Sequence, residues 1–237
     1  MIMYKMLKNS ILRLLFAVGF TIVITSQLLS AEAVTVVEEF FDFGHVGIEY
    51  KLFHKFKVIN TGLKRIKIDS INVPCDCSVV RYEKEWMEKG DTLDFILTFD
   101  TKDFYGPVNR KFKIYLSVPE KKTISLIYLA HVGQWMNGLK PNPFSLFFLP
   151  TNKKKTIEIA NKYFDKISLE LERQYDNSFT VNIIKAEAEK GEMLELSLSP
   201  NPELGKGTYL SNFTLKVTAG EDEEPTILTI PVKIARF

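Results

Sequence analysis

The chain contains two cysteines, and they stand one residue apart in the segment Pro74-Cys75-Asp76-Cys77-Ser78. Any disulfide within the chain must therefore join Cys75 to Cys77. Such a bond closes so small a ring that it restrains little of the unfolded chain, so stability alone does not explain it. Side chains at i and i+2 of a strand stand about 6.6 Å apart, near the upper limit for a disulfide, so an oxidised pair requires a kinked backbone.

Three hypotheses for the pair remain open. Cys75 and Cys77 could act as a redox pair, or they could be two small apolar side chains of a core. They could also bind a soft metal such as Cu(I) or Zn(II), with Asp76 as a further oxygen donor. A histidine could complete such a site only if the fold brought it there, because none of the three stands at metal-ligand spacing from another: His45, His54 and His131.

Motifs of the common catalytic classes are absent from the sequence. We find no Gly-x-Ser-x-Gly elbow, no His-Glu-x-x-His pair and no phosphate-binding glycine loop. The acidic run from Glu221 to Glu224 is typical of a solvated loop. We therefore expect no enzyme and no cofactor, apart from the copper or zinc considered for the cysteine pair.

The first 33 residues have the pattern of a secretory signal peptide. Basic residues precede a short apolar core, and Ala31-Glu32-Ala33 offers a small-x-small cleavage site. The apolar run is shorter than the roughly 20 residues that span a bilayer, so we expect cleavage before Val34 and no membrane span afterwards. The predicted destination is the periplasm or cell surface of a bacterium.

The apparent basic charge belongs to this leader. The whole chain has 31 basic and 29 acidic residues, and the leader contains three of the basic residues and one of the acidic ones. The remaining chain is therefore balanced. A near-neutral protein lacks the concentrated basic face that nucleic acids select, so we expect a protein or another envelope component as the partner.

Short runs of β-branched and aromatic residues, separated by Gly, Pro, Asn and Asp, recur along the rest of the chain and predict an all-β fold. We expect two tandem immunoglobulin-like β-sandwiches, at 34–133 and 144–237, joined by a linker at 134–143 that is rich in Gly, Pro and Asn. The sequence of the hairpin that closes the first half resembles that of the hairpin that closes the second, which favours a duplicated domain. Helix should be almost absent, and the segments best suited to a helical turn are Tyr82–Lys89 and Ile184–Lys190.

Several short motifs occur together in one order between residues 40 and 118. They are Phe41-Asp42-Phe43-Gly44, Phe56, Asn60-Thr61-Gly62, the cysteine pair, Gly90 and Phe99-Asp100. This order resembles the exported bacterial family called domain of unknown function 1573. The resemblance implies export and an immunoglobulin-like sandwich similar to the sperm-protein and Hydin type, but no agreed activity. The chain departs from the family at Asp76, where Gly is usual, at Ser78, where Thr is common, and at Lys89, where Pro is frequent.

Aromatic residues could form a binding surface. Adjacent aromatics of a strand point to opposite faces, so one member of each pair must point outward or into a domain junction. The aromatics concerned are Phe40, Phe41, Phe43, Phe144, Phe147, Phe148, Trp86 and Trp135. Trp86 and Trp135 are candidate partner anchors, although Trp135 could instead plug the joint between the domains.

We therefore predict a non-enzymatic exported protein that binds or scaffolds partners on strand edges or aromatic patches. The first alternative is a periplasmic metal-binding or thiol-redox protein that uses Cys75 and Cys77. The second is a chaperone of the pilus-assembly type, which shares the two-domain architecture but no motif.

Overall fold

The computed structural model describes residues 33–118, 121–220 and 223–237. The predicted leader lies outside these residues except for Ala33. The described residues form strands joined by loops, with no α-helix and one 3-10 turn at Met136–Gly138. No helix among them is long and apolar enough to cross a membrane.

The strands are β1 (Thr35–Val36), β2 (Phe40–Val46), β3 (Lys51–Ile59), β4 (Ile66–Asn72), β5 (Ser78–Arg81), β6 (Trp86–Met87), β7 (Thr92–Asp100), β8 (Gly106–Val118), β9 (Lys122–Val132), β10 (Pro141–Asn142), β11 (Leu146–Phe148), β12 (Lys155–Ala160), β13 (Lys166–Gln174), β14 (Phe179–Lys185), β15 (Glu187–Glu189), β16 (Met193–Pro200), β17 (Gly207–Thr218) and β18 (Thr226–Arg236).

The first half folds as two sheets around one apolar core. Strands β1, β3, β7 and β5 form a four-stranded sheet, and β2, β9, β8, β4 and β6 form the opposite layer. Side chains of the two layers meet in the core, where the rings of Phe56 and Phe112 lie 5.5 Å apart. The alternation in β3 explains this packing, because His54, Phe56 and Val58 are buried between more exposed neighbours.

The second half repeats this arrangement around a separate core. Strands β10, β12, β16 and β14 form its four-stranded sheet, and β15, β13, β17 and β18 form the opposite layer. The rings of Phe179 and Phe213 meet between the layers at 5.7 Å. Both halves are thus sandwich-like, as the sequence predicts.

Two corresponding asparagines, Asn60 and Asn161, stand 101 positions apart in the two halves. Both asparagines are fully buried. The Asn60 Nδ2 donates to the carbonyls of Lys64 and Met87 at 2.9 and 3.0 Å. The Asn161 Nδ2 donates to those of Phe164 and Ala188 at the same distances. Met87 and Ala188 also stand 101 positions apart, whereas Lys64 and Phe164 stand 100 apart, so the halves share this arrangement but differ within the turn.

The two layers that lie opposite the four-stranded sheets join into one ten-stranded sheet. Strand β18 runs parallel to β2, with Leu228 opposite His45. At this contact a Cβ atom on Gly44 would lie 2.1 Å from the carbonyl oxygen of Ile227, and Gly44 has a φ of +61°. Only glycine fits both the close approach and the positive φ.

Further contacts tie the halves together beside this strand pair. The side-chain amide of Asn212 hydrogen-bonds both backbone groups of Phe53, accepting from its N–H at 2.7 Å and donating to its carbonyl at 3.2 Å. The Thr229 hydroxyl donates to the carbonyl of Phe43. The Tyr50 and Ser145 hydroxyls lie 2.8 Å apart.

The segment 134–143 connects the halves and packs on the second, because Leu139 is buried in the second core and Pro141–Asn142 pair with β12. The scarcity of helix agrees with the sequence. The segments best suited to a helical turn contain the short strands β6 and β15, which pair with β4 and β13. Pairing with a neighbouring strand satisfies their backbone groups, so tertiary contacts override the local preference.

Candidate functional site

The cysteine pair lies in the turn that connects β4 to β5. Cys75 and Cys77 form a disulfide with their Cα atoms 5.2 Å apart. The turn supplies the kinked backbone that the sequence requires for an oxidised pair. Both cysteines are half-buried and Asp76 between them is exposed. Cys77 packs against the first core, so one face of the disulfide is supported by the fold.

Two buried hydroxyl groups continue from Cys77 into the core. The Ser78 Oγ lies 3.6 Å from the Cys77 Sγ and 2.5 Å from the Tyr128 Oη. Tyr128 is fully buried and Ser78 nearly so. Burial raises the pKa of Tyr128, although the hydrogen bond to Ser78 opposes this, so the phenol stays protonated at neutral pH. A disulfide sulfur can only accept, so when Ser78 donates to Cys77, Tyr128 can donate to Ser78.

The second half closes the equivalent turn without cysteine. The positions 101 residues after Cys75 and Cys77 are Asp176 and Ser178. The Asp176 Oδ1 accepts hydrogen bonds from the Ser178 N–H at 3.0 Å and from its hydroxyl at 2.6 Å. The carbonyls of Cys77 and Ser178 accept equivalent backbone hydrogen bonds, at 2.8 and 2.9 Å. Side-chain hydrogen bonds are therefore sufficient to hold this turn in the fold.

The expected metal ligands are not gathered around the disulfide. Among residues 33–118, 121–220 and 223–237, no group of three or more His, Cys, Asp or Glu side chains could hold a metal ion. The His45 Nδ1 lies 2.8 Å from the carbonyl oxygen of Gln134, and the His45 ring stacks on His131. His54 is buried and stacks on Phe41 at a centroid distance of 3.6 Å. A metal at Cys75 and Cys77 would also require that their disulfide be reduced.

His54 belongs to a charged network at the junction of the halves. The Arg173 guanidinium donates to both carboxylate oxygens of Glu38, at 3.0 and 3.1 Å. The His54 Nε2 lies 3.1 Å from the same carboxylate, but without hydrogen-bond geometry. Burial lowers the pKa of His54 more than the carboxylate raises it. Burial raises the pKa of Glu38, but contacts with His54 and Arg173 outweigh it and lower the pKa overall. At neutral pH the ion pair is therefore that of Glu38 with Arg173.

The two tryptophans proposed as anchors are partly covered. The Arg65 guanidinium lies 4.2 Å from the centre of the Trp86 ring, and the Lys67 ammonium lies 5.8 Å from it. Trp135 is half-buried, packs against the second core and meets Phe144 at 6.0 Å. Phe144 in turn meets the Tyr50 ring of the first half at 6.2 Å.

An exposed aromatic lies at the junction instead, at Phe147. Leu146 and Phe148 are buried, whereas Phe147 points outward with 44% of its surface exposed. The same alternation holds for Phe40, which is 49% exposed, and its buried neighbour Phe41. The prediction that adjacent aromatics divide between the two faces is thus confirmed for both pairs.

Phe147 lines a groove of about 460 Å³ between the halves. One wall is the loop Glu49–Lys51 of the first half, and the other is formed by β11 with Leu210 and Lys233. Leu210 is 43% exposed, and the Lys233 ammonium lies 5.2 Å from the centre of the Phe147 ring. Strand β11 pairs in parallel with β18 along one side. No other described strand pairs with β11.

Residues 34–130 match the family model of the protein of unknown function DUF1573. The resemblance predicted from the sequence is thereby confirmed. The DUF1573 segment contains the disulfide turn, the Ser78–Tyr128 hydroxyl pair and one wall of the groove. It also contains Gly44, which approaches Ile227 of the second half. The second half lies beyond the DUF1573 match. No curated protein matches the chain.

Solved structures show only weak likeness. A Vibrio cholerae protease, VesB, is 12% identical over 42% of this chain, which spans 32% of that protein, with a TM-score of 0.36. A protein of unknown function from Porphyromonas gingivalis W83 is 12% identical, with 86% of this chain and 100% of that chain covered and a TM-score of 0.35. The YadV chaperone is 7% identical over 84% of this chain and 99% of its own, with a TM-score of 0.33. Similarities at this level do not identify a function.

Sequence reasoning missed the groove and the hydroxyl pair. Phe147 was one of eight aromatics without a distinguishing signal, and Ser78 was noted only as a departure from its family. The spacing of 101 residues makes Phe179 the counterpart of Ser78, and the strand register makes Val232 the counterpart of Tyr128. The second half thus has no hydroxyl where the first half has Ser78.

Proposed function

We propose that this chain is an exported, non-enzymatic binding protein of the bacterial cell envelope, built from two tandem immunoglobulin-like domains. It captures an extended segment of a partner polypeptide in the groove between the domains. One observation carries the proposal: among the described strands β11 pairs only with β18, and its exposed Phe147 ring lines the groove. Free strand edges bind extended peptides through backbone hydrogen bonds, and side-chain pockets give specificity.

The ring of Phe147 supplies the apolar anchor. A phenylalanine side chain buries roughly 200 Å², and 44% of its surface is exposed here. Covering that surface removes about 90 Å² from water and stabilises the complex by about 2 kcal/mol, which corresponds to roughly 30-fold in affinity. Leu210 lies in the same groove and extends the apolar surface.

The charged residues of the groove indicate which charge the partner segment should carry. Lys51 and Lys233 are exposed on its two walls, and Glu49 is the one acidic side chain that lines it. An extended segment with apolar residues on one face and an acidic residue beside them complements this surface. A hydrogen bond between the Tyr50 and Ser145 hydroxyls holds the two walls in position.

The test is a set of synthetic ten-residue peptides that alternate apolar and polar positions and carry either glutamate or lysine beside the apolar anchor. Fluorescence polarisation with the full chain should show at least tenfold tighter binding of the acidic peptides. Phe147→Ala should weaken binding about 30-fold because the anchor is lost. Phe40→Ala is the matched control, because Phe40 is an equally exposed aromatic outside the groove.

The amide hydrogens of Leu146–Phe148 should exchange more slowly in the complex, since the peptide pairs with this edge. The proposal fails if no peptide binds, or if Phe40→Ala weakens binding as much as Phe147→Ala does. Slower exchange along another strand edge instead would place the binding site there and would also contradict it.

A further inference from the structure

The equivalent turn of the second half shows that this fold can close the turn without a disulfide. In the second half, Asp176 and Ser178 close the turn by hydrogen bonds and keep the same backbone contact to the neighbouring strand. A disulfide across so few residues also restrains little unfolded chain. The architecture therefore does not explain why the first half carries Cys75 and Cys77.

The buried hydroxyl pair distinguishes the two turns in the same way. Ser78 and Tyr128 are buried beside the disulfide, whereas the position equivalent to Ser78 is the apolar Phe179, which is buried in the second core. Burying hydroxyl groups in a core is unfavourable unless they are hydrogen-bonded, and an aromatic side chain fills the equivalent space well. The second half has the apolar Phe179 and Val232 at these two strand positions, so the hydroxyl pair has no counterpart there.

We propose that the Cys75–Cys77 disulfide is a two-electron acceptor that oxidises a dithiol of a partner protein. Both cysteines are half-buried in an exposed turn, so a partner thiolate can approach. Cys77 packs against the core beside Ser78, so the attack falls on the Sγ of Cys75. This site is distinct from the groove and does not depend on peptide binding there.

The exchange proceeds in two displacements. A partner thiolate, having released its proton to solvent, attacks the Sγ of Cys75; the Cys75–Cys77 bond breaks, and the electron pair leaves on the Sγ of Cys77. The second partner thiolate then attacks the partner sulfur of the mixed disulfide and releases Cys75. Cys75 and Cys77 each take up a proton. The partner loses two electrons and two protons and gains a disulfide, and this chain is reduced to a dithiol.

The hydroxyl pair assists the first displacement. Ser78 donates a hydrogen bond to the departing Cys77 thiolate while Tyr128 donates to Ser78, and hydrogen bonds to the charged form of a group favour that form. A better leaving group speeds exchange. Tyr128 remains a donor because burial keeps its hydroxyl protonated.

The experiment mixes the oxidised full chain with a reduced synthetic peptide that contains two cysteines. Mass spectrometry should show one peptide disulfide formed per protein molecule and a gain of two hydrogens by the protein. The variant Cys75→Asp with Cys77→Ser copies the turn of the second half. It should keep the circular dichroism spectrum and the unfolding midpoint, and it should oxidise no peptide.

Ser78→Ala supplies a second measurement, which does not require removal of the disulfide. Its rate of peptide oxidation should fall about tenfold, and ultraviolet titration of the reduced protein should show a higher pKa for Cys77. Ser197→Ala removes an equally buried serine of the second core and should change neither quantity. The proposal is overturned if the protein stays oxidised in excess peptide dithiol, or if Ser78→Ala leaves both the rate and the thiol titration unchanged.

Discussion

Replacing the two buried asparagines in turn should destabilise the two halves by equal amounts. The Asn60 side chain makes three hydrogen bonds, to the carbonyls of Lys64 and Met87 and from the N–H of Gly62 at 3.1 Å. The Asn161 side chain also makes three, to the carbonyls of Phe164 and Ala188 and from the N–H of Phe164 at 3.1 Å. Each bond contributes about 1 kcal/mol net, and truncation leaves buried carbonyls unpaired. We expect Asn60→Ala and Asn161→Ala each to lower the free energy of unfolding by about 3 kcal/mol.

The assay is urea unfolding followed by tryptophan fluorescence, because each half has its own tryptophan. Trp86 pairs with β4 in the first half, and Trp135 packs against the second core. Asn60→Ala is measured with Trp135 replaced by Phe, and Asn161→Ala with Trp86 replaced by Phe. The exposed Asn109→Ala should stay within about 0.5 kcal/mol of its parent. A loss below 1 kcal/mol at either site, or a difference above about 2 kcal/mol between them, would refute the reasoning.

Two further predictions concern the junction. In urea unfolding, Gly44→Ala should destabilise the chain by several kcal/mol more than Gly90→Ala. Both glycines have positive φ, but only at Gly44 would the new Cβ atom clash with a carbonyl group. Equal losses of stability in the two variants would contradict this prediction. Burial lowers the pKa values of His45 and His54 in the folded chain. As the pH drops below about 6.5, these histidines become protonated in the unfolded chain before they do so in the folded one. The free energy of unfolding should therefore fall by up to about 1.4 kcal/mol per pH unit for each histidine. Urea unfolding of His54→Gln between pH 7 and 5 should show a shallower loss, and an unchanged slope would exclude His54 as a source.

Strand composition was sufficient to predict most of the fold. The composition predicts strands at Thr92–Asp100, Lys155–Ala160 and Phe179–Lys185, which are the bounds of β7, β12 and β14. In β7 and β12 the more buried and more exposed side chains alternate. The two-residue strands β6 and β10 could not be predicted, since so short a pattern has no period and exists only through its partner strand. The composition predicts one strand at Val34–Phe43, but the structure has β1 and β2 there, and these join different sheets.

The candidate sites were predicted less completely. The sequence identified Cys75 and Cys77 as the possible chemical centre but left their bonding open, because a turn and a strand place such residues at different separations. Tyr128 lies 50 positions from Ser78, and local patterns do not reveal contacts at that distance. The groove depends on how β11 lies beside β18, which is likewise a long-range pairing.

The pairing of β18 with β2 also orders the events of folding. Strand β2 precedes β18 by most of the described chain, so the first half can pack its own core while β2 still lacks this neighbour. Until β18 is in place, the backbone around Gly44 and the carbonyl of Phe43 have no partner from the second half. The joint between the halves therefore forms after the first core, and the groove beside β11 forms with that joint.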